Sequence, residues 1–183
     1  MVIPTDEEVA AAAKRGDRGA WAELARRFTR PVYAFCRRFV SDAADADDAS
    51  QEVFIRLMKV ISHYEEHGRF APWLFKLSAN VCRNFLRSRG RRQNREASVS
   101  PPLDPIPDPA REIERRETVA RLKTIVDGLP AQYSLSMWLK FQQGCSNQEI
   151  SQILDLPSAS VRVVLFRALS LVREKALLEG RPR

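Results

Sequence analysis

A run of cations interleaved with aromatic rings occupies residues 68–92, GRFAPWLFKLSANVCRNFLRSRGRR. This run contains no acidic residue, although ordinary surface helices mix both signs of charge. Placed on a helix at about 100° per residue, it separates an apolar face from a polar stripe. The apolar face holds Leu74, Leu77, Val81 and Phe85, and the stripe holds Trp73, Lys76, Asn80, Arg83 and Arg87. Cations follow phosphates and rings stack on unpaired bases, so the pattern predicts a platform for melted or distorted DNA.

Two further features extend this platform. Phe70, which we place in a loop before the helix, supplies a second exposed ring. Asn80 and Asn84 can form hydrogen bonds to base edges. The alternative is that the stripe is only a solvated surface, as most basic stripes are.

A segment of the opposite sign precedes it. SDAADADDASQE, residues 41–52, carries Asp42, Asp45, Asp47, Asp48 and Glu52 and no basic residue. Carboxylates near a helix N-terminus are favoured by the helix dipole, which is one sufficient explanation. The other explanation is a surface that docks on a basic region of a partner protein.

The end of the chain carries a third pattern, CSNQEISQILDLPSASVRVVLFRALSLVREKAL. Ser146 and Glu149 form a capping box for a short helix, and Asp155-Leu156-Pro157 ends it. Ser158 can cap a longer helix whose inward positions are Val161, Val164, Leu165, Ala168 and Val172. Its outward positions are Arg162, Val163, Phe166, Arg167, Ser170 and Arg173. A short helix, a tight turn and a longer basic helix form the helix-turn-helix pattern that enters a DNA major groove, although a plain helical hairpin has the same spacing.

The elements that position these residues are all helical, because apolar residues recur three and four apart and β-branched alternation is absent. Thr5 and Glu8 predict a first helix through about Lys14. We expect a second helix over about 19–39, kinked or divided at Pro31, a third over about 44–63, and the fourth in the basic run. The segment 93–110 holds several prolines and no helical period, so it is a linker, and helical spacing resumes over 111–183. The predicted fold is therefore all-α, with two small domains at 1–92 and 111–183.

Composition agrees with a nucleic-acid partner. The 183 residues carry a net charge of +7 with a pI near 9.8. Cys36, Cys82 and Cys145 form no CxxC pair, and their apolar neighbours predict reduced core thiols. We find no signal peptide and no apolar run of the roughly 18 residues that a membrane span requires, so we expect a cytoplasmic protein without membrane insertion.

An enzyme is the least favoured class. HYEEH sets His63 and His67 at a metal-ligand spacing with Glu66 between them, but Tyr64 stands where a zincin needs its general base. No glycine-rich phosphate loop and no nucleophile–base pair is evident in the sequence, so no metal, cofactor or catalytic residue is expected. The open alternatives are a regulator that binds DNA through the helix-turn-helix alone and a protein that docks on a partner without recognising DNA.

Four stretches together resemble bacterial RNA polymerase sigma factors of the extracytoplasmic-function (ECF) group. They are GDRGAWAELARRFTRPVYAFCRRFV, DADDASQEVFIRLMK, GRFAPWLFKLSANVCRNFLRSRGRR and GCSNQEISQILDLPSASVRVVLFRAL. They follow the family's order and cover most of the chain. The resemblance implies a sigma factor that directs core RNA polymerase to promoters and is not an enzyme.

The resemblance also implies roles for the sites. In a sigma-2 domain, the acidic helix would dock on the polymerase through Asp47, Asp48, Gln51, Glu52 and Phe54. The basic run would hold the melted −10 strand through Phe70, Trp73, Lys76, Asn80, Arg83, Asn84 and Arg87. In a sigma-4 domain, the helix-turn-helix would contact −35 duplex DNA through Ser158, Ser160, Arg162, Val163, Phe166 and Arg167. The linker, with Asp104 and Asp108, would run towards the RNA exit path, and an anti-sigma protein is an expected second partner.

One stretch departs from the family pattern. Where the family often has Thr-Val-Lys-Ser-Arg-Leu-His-Arg-Ala, residues 160–168 are SVRVVLFRA. The preceding AQYSLSMWLKFQQG also lacks the usual acidic and arginine residues. Apolar side chains cannot donate to guanine but can pack on thymine methyls, so we expect an unusual or weakly specified upstream element.

Overall fold

The computed structural model describes residues 4–40, 42–65, 69–90 and 113–179, with side chains over 4–40, 42–65, 69–88 and 120–177. All regular elements in these ranges are helical, as the apolar spacing predicts. The chain divides into two compact units, the first holding the helices before residue 91 and the second holding most of the chain after residue 112. The proline-rich segment 93–110, with Asp104 and Asp108, lies outside the described residues, so its predicted linker character stays a prediction.

Among its described residues, the first unit contains the α-helices α1 (Asp6–Lys14), α2 (Arg18–Phe39), α3 (Ala43–Val60) and α4 (Phe70–Gly90). The predicted capping box opens α1, because the Thr5 hydroxyl accepts from the Glu8 amide and the Glu8 carboxylate accepts from the Thr5 amide. Aspartates cap the next two helices, where Asp17 accepts from the Ala20 amide and Asp42 from the Asp45 amide, both at 3.0 Å. These caps satisfy amides that have no partner inside a helix.

The structure excludes a division of α2 and moves the end of α3. Pro31 does not divide α2, which runs through it as one helix of 22 residues. The buried side chains of Phe28 and Val32 flank the proline, and the packing of this face outweighs the roughly 3 kcal/mol that an internal proline costs. α3 ends at Val60, and a short 3-10 turn over Ile61–His63 completes the segment that the spacing assigns to one helix.

Aromatic rings dominate the core of the first unit. Phe70 meets Phe28 and Tyr64 edge-to-face at centroid distances of 5.3 and 5.4 Å, and Phe35 stacks on Phe75 at 5.7 Å. α1 closes this core through polar contacts, since Lys14 Nζ donates to the Tyr64 carbonyl at 2.8 Å. The inner faces of α3 and α4 pack in this core through buried side chains that include Val53, Leu57, Leu74 and Phe75.

All three cysteines are buried free thiols, which confirms that prediction. Cys36 of α2 and Cys82 of α4 are distant in sequence, but their sulfurs lie 3.6 Å apart. The contact with Cys82, together with burial, raises the pKa of the Cys36 thiol. Both thiols act here as small core side chains.

The described chain after residue 112 forms α5 (Ile113–Asp127), α6 (Ala131–Phe141), α7 (Asn147–Leu154) and α8 (Ser158–Glu179). α5 and α6 both pack on α8. The buried side chains include Trp138 and Leu139 of α6, Ile150 and Ile153 of α7, and Val161 and Ala168 of α8. Within the described ranges, no helix is both long enough and apolar enough to cross a bilayer.

Candidate nucleic-acid interface and docking surface

The basic stripe of α4 is a continuous surface, which we define as Trp73, Lys76, Asn80, Arg83, Asn84 and Arg87. At about 100° per residue these six positions fall within about 100° of arc. Lys76, Asn80, Asn84 and Arg87 are exposed, whereas Trp73 and Arg83 are half-buried. No acidic residue occurs anywhere in α4. The helix therefore presents cations, amides and one indole on the side away from its core face.

Trp73 occupies the start of the basic stripe. Its ring centroid lies 5.3 Å from that of Tyr64 and 5.9 Å from that of Phe70. Both of these partners are buried, so they hold the indole from the core side. The indole is half-buried, so part of it remains accessible to solvent.

Phe70 corrects one of the predictions. It is the first residue of α4 rather than a loop residue, and its side chain is 0 % exposed. Its amide donates to Glu7 Oε1 of α1 at 3.2 Å, which ties the start of the helix to the core. A ring enclosed by Phe28, Tyr64 and Trp73 cannot also stack on a base, so Phe70 does not form part of the exposed stripe. Its sequence position four residues before Leu74 continues the core face of α4, and that spacing is the signal that identifies it.

Arg83 has partners inside the first unit. Its guanidinium donates to Asn80 Oδ1 at 2.9 Å and lies 6.0 Å from the centroid of the Phe39 ring. A guanidinium over a ring in this range gains a cation–π attraction. Arg83 is therefore held in place, whereas Lys76 and Arg87 extend into solvent.

The acidic face of α3 is the second surface, which we define as Asp47, Asp48, Gln51 and Glu52. The first three are exposed and Glu52 is half-buried. Gln51 Nε2 donates to Asp47 Oδ2 at 2.9 Å, and Glu52 pairs with Arg56 at 3.3 Å. Asp48 lies on this face in the second turn of α3 and adds to its negative charge.

Two apolar side chains that the sequence analysis missed continue the acidic face. Ile55 is 42 % exposed and Met58 is 59 % exposed. The series Asp48, Gln51, Ile55, Met58 has steps of three, four and three residues, so these side chains form one line along the helix. Helical spacing places Ile55 and Met58 on this face, but large apolar residues are ordinarily assigned to a core.

Phe54 lies at the border of the acidic face. It is half-buried, between the buried positions Val53 and Leu57 on one side and Met58 on the other. One edge of its ring is thus accessible beside the carboxylates. The prediction that Phe54 takes part in docking on the polymerase stays a prediction.

The turn between α7 and α8 has the geometry of a compact helix-turn-helix. The predicted capping box opens α7, with the Ser146 amide donating to Glu149 at 2.6 Å and the Glu149 amide to the Ser146 hydroxyl at 3.2 Å. Asp155 adopts φ +54°, the left-handed conformation that ends a helix. Ser151 fixes the turn from both sides, because its hydroxyl donates to the Leu156 carbonyl at 2.6 Å and its carbonyl accepts from the Leu156 amide at 3.0 Å.

The two faces of α8 agree with the predicted periodicity. Val161, Val164, Leu165 and Ala168 are buried and Val172 is half-buried, while Arg162, Val163, Phe166, Arg167, Ser170 and Arg173 are exposed. Ser158, expected as the N-cap that precedes α8, is instead the first residue of the helix and is exposed. Ser160 is half-buried. The predicted DNA-contacting residues therefore share the N-terminal half of one helix.

No group of three potential metal ligands occurs in the part of the chain that the structure describes. His63 is exposed in the 3-10 turn. Glu66 and His67, the other members of the HYEEH segment, lie outside the described residues.

Sequence models of two domain families match the chain. The model described as Sigma-70 region 2 matches residues 24–92, and the model described as Sigma-70, region 4 matches residues 120–172. Together they cover α3, α4 and most of α2 in the first unit, and the helix-turn-helix in the second.

Curated relatives match over nearly their whole length. The RNA polymerase sigma-H factor of Pseudomonas aeruginosa is 28% identical over 182 residues, covering 94% of this chain and 93% of the relative. The ECF RNA polymerase sigma-E factors of Haemophilus influenzae and Escherichia coli are 27% and 26% identical, with at least 93% of each chain covered.

Solved structures share the fold. CnrH, solved in complex with the cytosolic domain of CnrY, superimposes with a TM-score of 0.63 at 22% identity and covers 97% of this chain and 99% of its own. The sigma factor RpoE of Bartonella quintana, solved with the anti-sigma factor NepR, gives a TM-score of 0.68 at 18% identity and covers 88% and 98%.

The two domain matches follow the expected order, and the curated relatives align over at least 93% of each chain. Members of this family are not enzymes, and they bind core RNA polymerase. The chain belongs to the ECF group of RNA polymerase sigma factors, with a region 2 and a region 4 domain through which it directs RNA polymerase to promoters.

Proposed function

We propose that three surfaces divide the work of promoter recognition in this sigma factor. The acidic face of α3 docks on core RNA polymerase, the basic stripe of α4 holds the melted −10 strand, and the outward face of α8 contacts the −35 duplex. The region 2 domain would span residues 1–92, the linker 93–110 and the region 4 domain 111–183. The observation that most directly supports this proposal is the separation of charge between α3 and α4, which are consecutive α-helices of one unit.

The polymerase-docking role rests on both the charge and the apolar content of α3. Asp47 and Asp48 supply negative charge to steer the approach to a basic partner surface. Ile55 and Met58 supply exposed apolar area on the same line, and apolar area buried on docking contributes about 25 cal/mol per Å². Gln51, Glu52 and Phe54 complete the surface. A docking interface built on this face therefore combines electrostatic steering with an apolar centre.

The −10 role rests on the composition of the basic stripe. Lys76 and Arg87 are exposed cations that can follow the phosphates of a single strand. The accessible part of Trp73 can stack on one unpaired base, and Asn80 and Asn84 can bond base edges. Arg83, held by Asn80 and Phe39, would act as a fixed cation beside them.

The −35 role rests on α8. Ser158, Ser160, Arg162, Val163, Phe166 and Arg167 lie in the first half of a helix that follows a tight turn, where a recognition helix places its base-contacting residues. The linker, carrying Asp104 and Asp108, would lead towards the RNA exit path of the polymerase.

Two further proposals concern the setting. CnrH was solved with CnrY and RpoE with NepR, and we extend an anti-sigma partner to this chain on that basis. The site of action would be the cytoplasm, since core polymerase and promoter DNA are found there.

The test is reconstitution with purified bacterial core polymerase. The expected result is co-purification with the core enzyme and run-off transcripts that start at defined sites on promoter-containing DNA. Failure to co-purify would indicate a helix-turn-helix regulator that acts alone. Stable binding without any transcript would indicate a docking protein that does not start transcription, and either result would overturn the proposal.

A further inference from the structure

The outward face of α8 carries two large apolar side chains in its first half. Val163 is 49 % exposed, and Phe166, at 70 %, is the most exposed large hydrophobic among the residues that the structure describes. Burial of a side chain such as phenylalanine is worth about 1.5–3 kcal/mol relative to full exposure. A recognition helix that leaves both groups in water gains affinity from any ligand that covers them.

The charges around this apolar pair restrict the chemistry of a ligand that could bind there. Arg162 and Arg167 are exposed beside the pair, and no acidic residue occurs from Ser158 to Arg173. The surface is therefore an apolar centre with positive charge on both sides. A ligand that fits it offers apolar groups in the middle of an array of negative charges.

Duplex DNA offers this combination in one place. In the major groove, thymine carries the C5-methyl group, and the phosphates line both sides of the groove. Neither Val163 nor Phe166 has a side-chain hydrogen-bond donor, so neither can select the N7 and O6 acceptors of guanine. The only base feature that they can select directly is a methyl group.

We infer that Val163 and Phe166 recognise the methyl groups of thymines at neighbouring A·T pairs in the upstream promoter element, while Arg162 and Arg167 bind the flanking phosphates. This inference rests on the proposed function of α8. Side chains three residues apart on a helix have Cβ atoms about 5–6 Å apart, and base pairs rise about 3.4 Å per step. The pair of side chains therefore spans one to two base-pair steps.

The experiment starts from holoenzyme and a pool of linear templates randomised over promoter-length DNA. Templates that yield transcripts are recovered and sequenced, and the expected result is thymine at adjacent upstream positions. In a selected template, each of these thymines is then replaced by deoxyuridine, which removes the methyl group and keeps every hydrogen-bonding atom. Each replacement is expected to lower promoter binding by about four-fold, the effect of losing one buried methyl-sized group.

Two variants assign this effect to the side chains. Phe166→Ala and Val163→Ala should each lose the uracil effect at the thymine that the removed side chain contacts and keep the effect at the neighbouring thymine. Arg167→Ala is the matched control, because loss of a phosphate contact weakens binding to both templates alike and lowers the salt dependence by about one counterion. All three positions are exposed, so unchanged thermal denaturation is expected for each variant.

The outcomes separate this inference from the function on which it rests. Defined transcripts combined with a guanine-dependent upstream preference, with no upstream preference, or with insensitivity to uracil would overturn the inference and leave the sigma function intact. A uracil effect at both thymines that persists in both alanine variants would also overturn it. Absence of transcripts from every template would contradict the inference and the proposed function together.

Discussion

In its proposed role, Trp73 would be prepared by the packed core for an unpaired base. Tyr64 and Phe70 contact the indole from the core side, so its orientation is restricted before any ligand arrives. A side chain that is ordered in advance loses less conformational entropy on binding. The burial of Phe70 thus contributes to the site indirectly, by supporting the ring that remains accessible.

Replacing Trp73 tests this residue directly. Trp73→Ala should reduce the formation of open promoter complexes by roughly ten-fold or more, because stacking contributes about 1–3 kcal/mol per base. Trp73→Phe keeps a ring and should retain most of the activity. Permanganate footprinting of melted thymines measures opening, and co-purification measures polymerase binding, which both variants should keep. Arg83→Ala should have the same phenotype as Trp73→Ala. If these alanine variants unfold or lose polymerase binding as well, the assignment of the stripe is wrong.

Glu23 is a residue whose charge state affects stability rather than DNA binding. Its carboxylate accepts hydrogen bonds from Arg26 and Arg27, which lower its pKa from 4.5 to about 2. Because the folded-state pKa is depressed, the stabilisation is complete above the ordinary value of 4.5 and is lost as pH falls towards 2. Arg27 also pairs with Asp6 at 2.7 Å, so these charges connect α1 with α2.

Glu23→Gln should therefore lower the melting temperature modestly near neutral pH. The difference from the native chain should shrink as the pH falls from about 4.5 towards 2, because the native carboxylate becomes protonated there. Added salt should also reduce the difference at neutral pH, since the pair is near the surface. Thermal denaturation across this pH range is the measurement, and a constant difference would contradict the role of the charge.

At the scale of the element, α3 functions as one surface with two chemistries. Negative charge occupies its first half, and Ile55 and Met58 extend the same line into its second half. Charge complementarity raises the association rate and orients the two proteins, whereas burial of apolar area slows dissociation. Substitutions in the two halves should therefore weaken polymerase binding in different ways.

Asp48→Arg should reduce polymerase affinity at least roughly ten-fold, because it sets like charges against each other across the interface. Met58→Gln should lower the affinity mainly through faster dissociation, and Met58→Leu, which keeps the apolar volume, should bind normally. Surface plasmon resonance with immobilised core enzyme gives both rate constants. None of these changes should affect the weak binding of a single-stranded oligonucleotide by the chain alone. Unchanged polymerase affinity in Asp48→Arg would place the docking surface elsewhere.

Elements also show where sequence reasoning succeeds and where it fails. Both capping boxes and the two faces of α8 follow from local rules, and the structure has them as expected. Pro31, Phe70, Ile55 and Met58 depend on which neighbours pack against a helix, and that information is not local. In a pattern of apolar residues, the buried Phe70 at the start of α4 and the exposed Met58 of α3 look alike. Only the packing in the folded protein distinguishes them.

At the scale of the whole molecule, the net charge of +7 conceals a strong separation of sign. α4 contains no acidic residue, whereas the first half of α3 contains no basic one. Each DNA-contacting domain is small, and two weak modules on one chain bind far more tightly once polymerase holds both in place. The chain alone is accordingly expected to bind promoter DNA weakly. The distance between its two domains in the complex is imposed by the polymerase, so the sequence of this chain does not contain it.

The three tryptophans differ in burial in a way that makes the protein its own optical probe. Trp138 is 3 % exposed in the core of the second unit, while Trp21 and Trp73 are half-buried in the first. A base stacked on the Trp73 indole would quench its fluorescence and leave the emission of Trp138 unchanged. In a chain carrying Trp21→Phe, the fading of the red-shifted component of the emission would then follow strand capture in real time, with no attached dye.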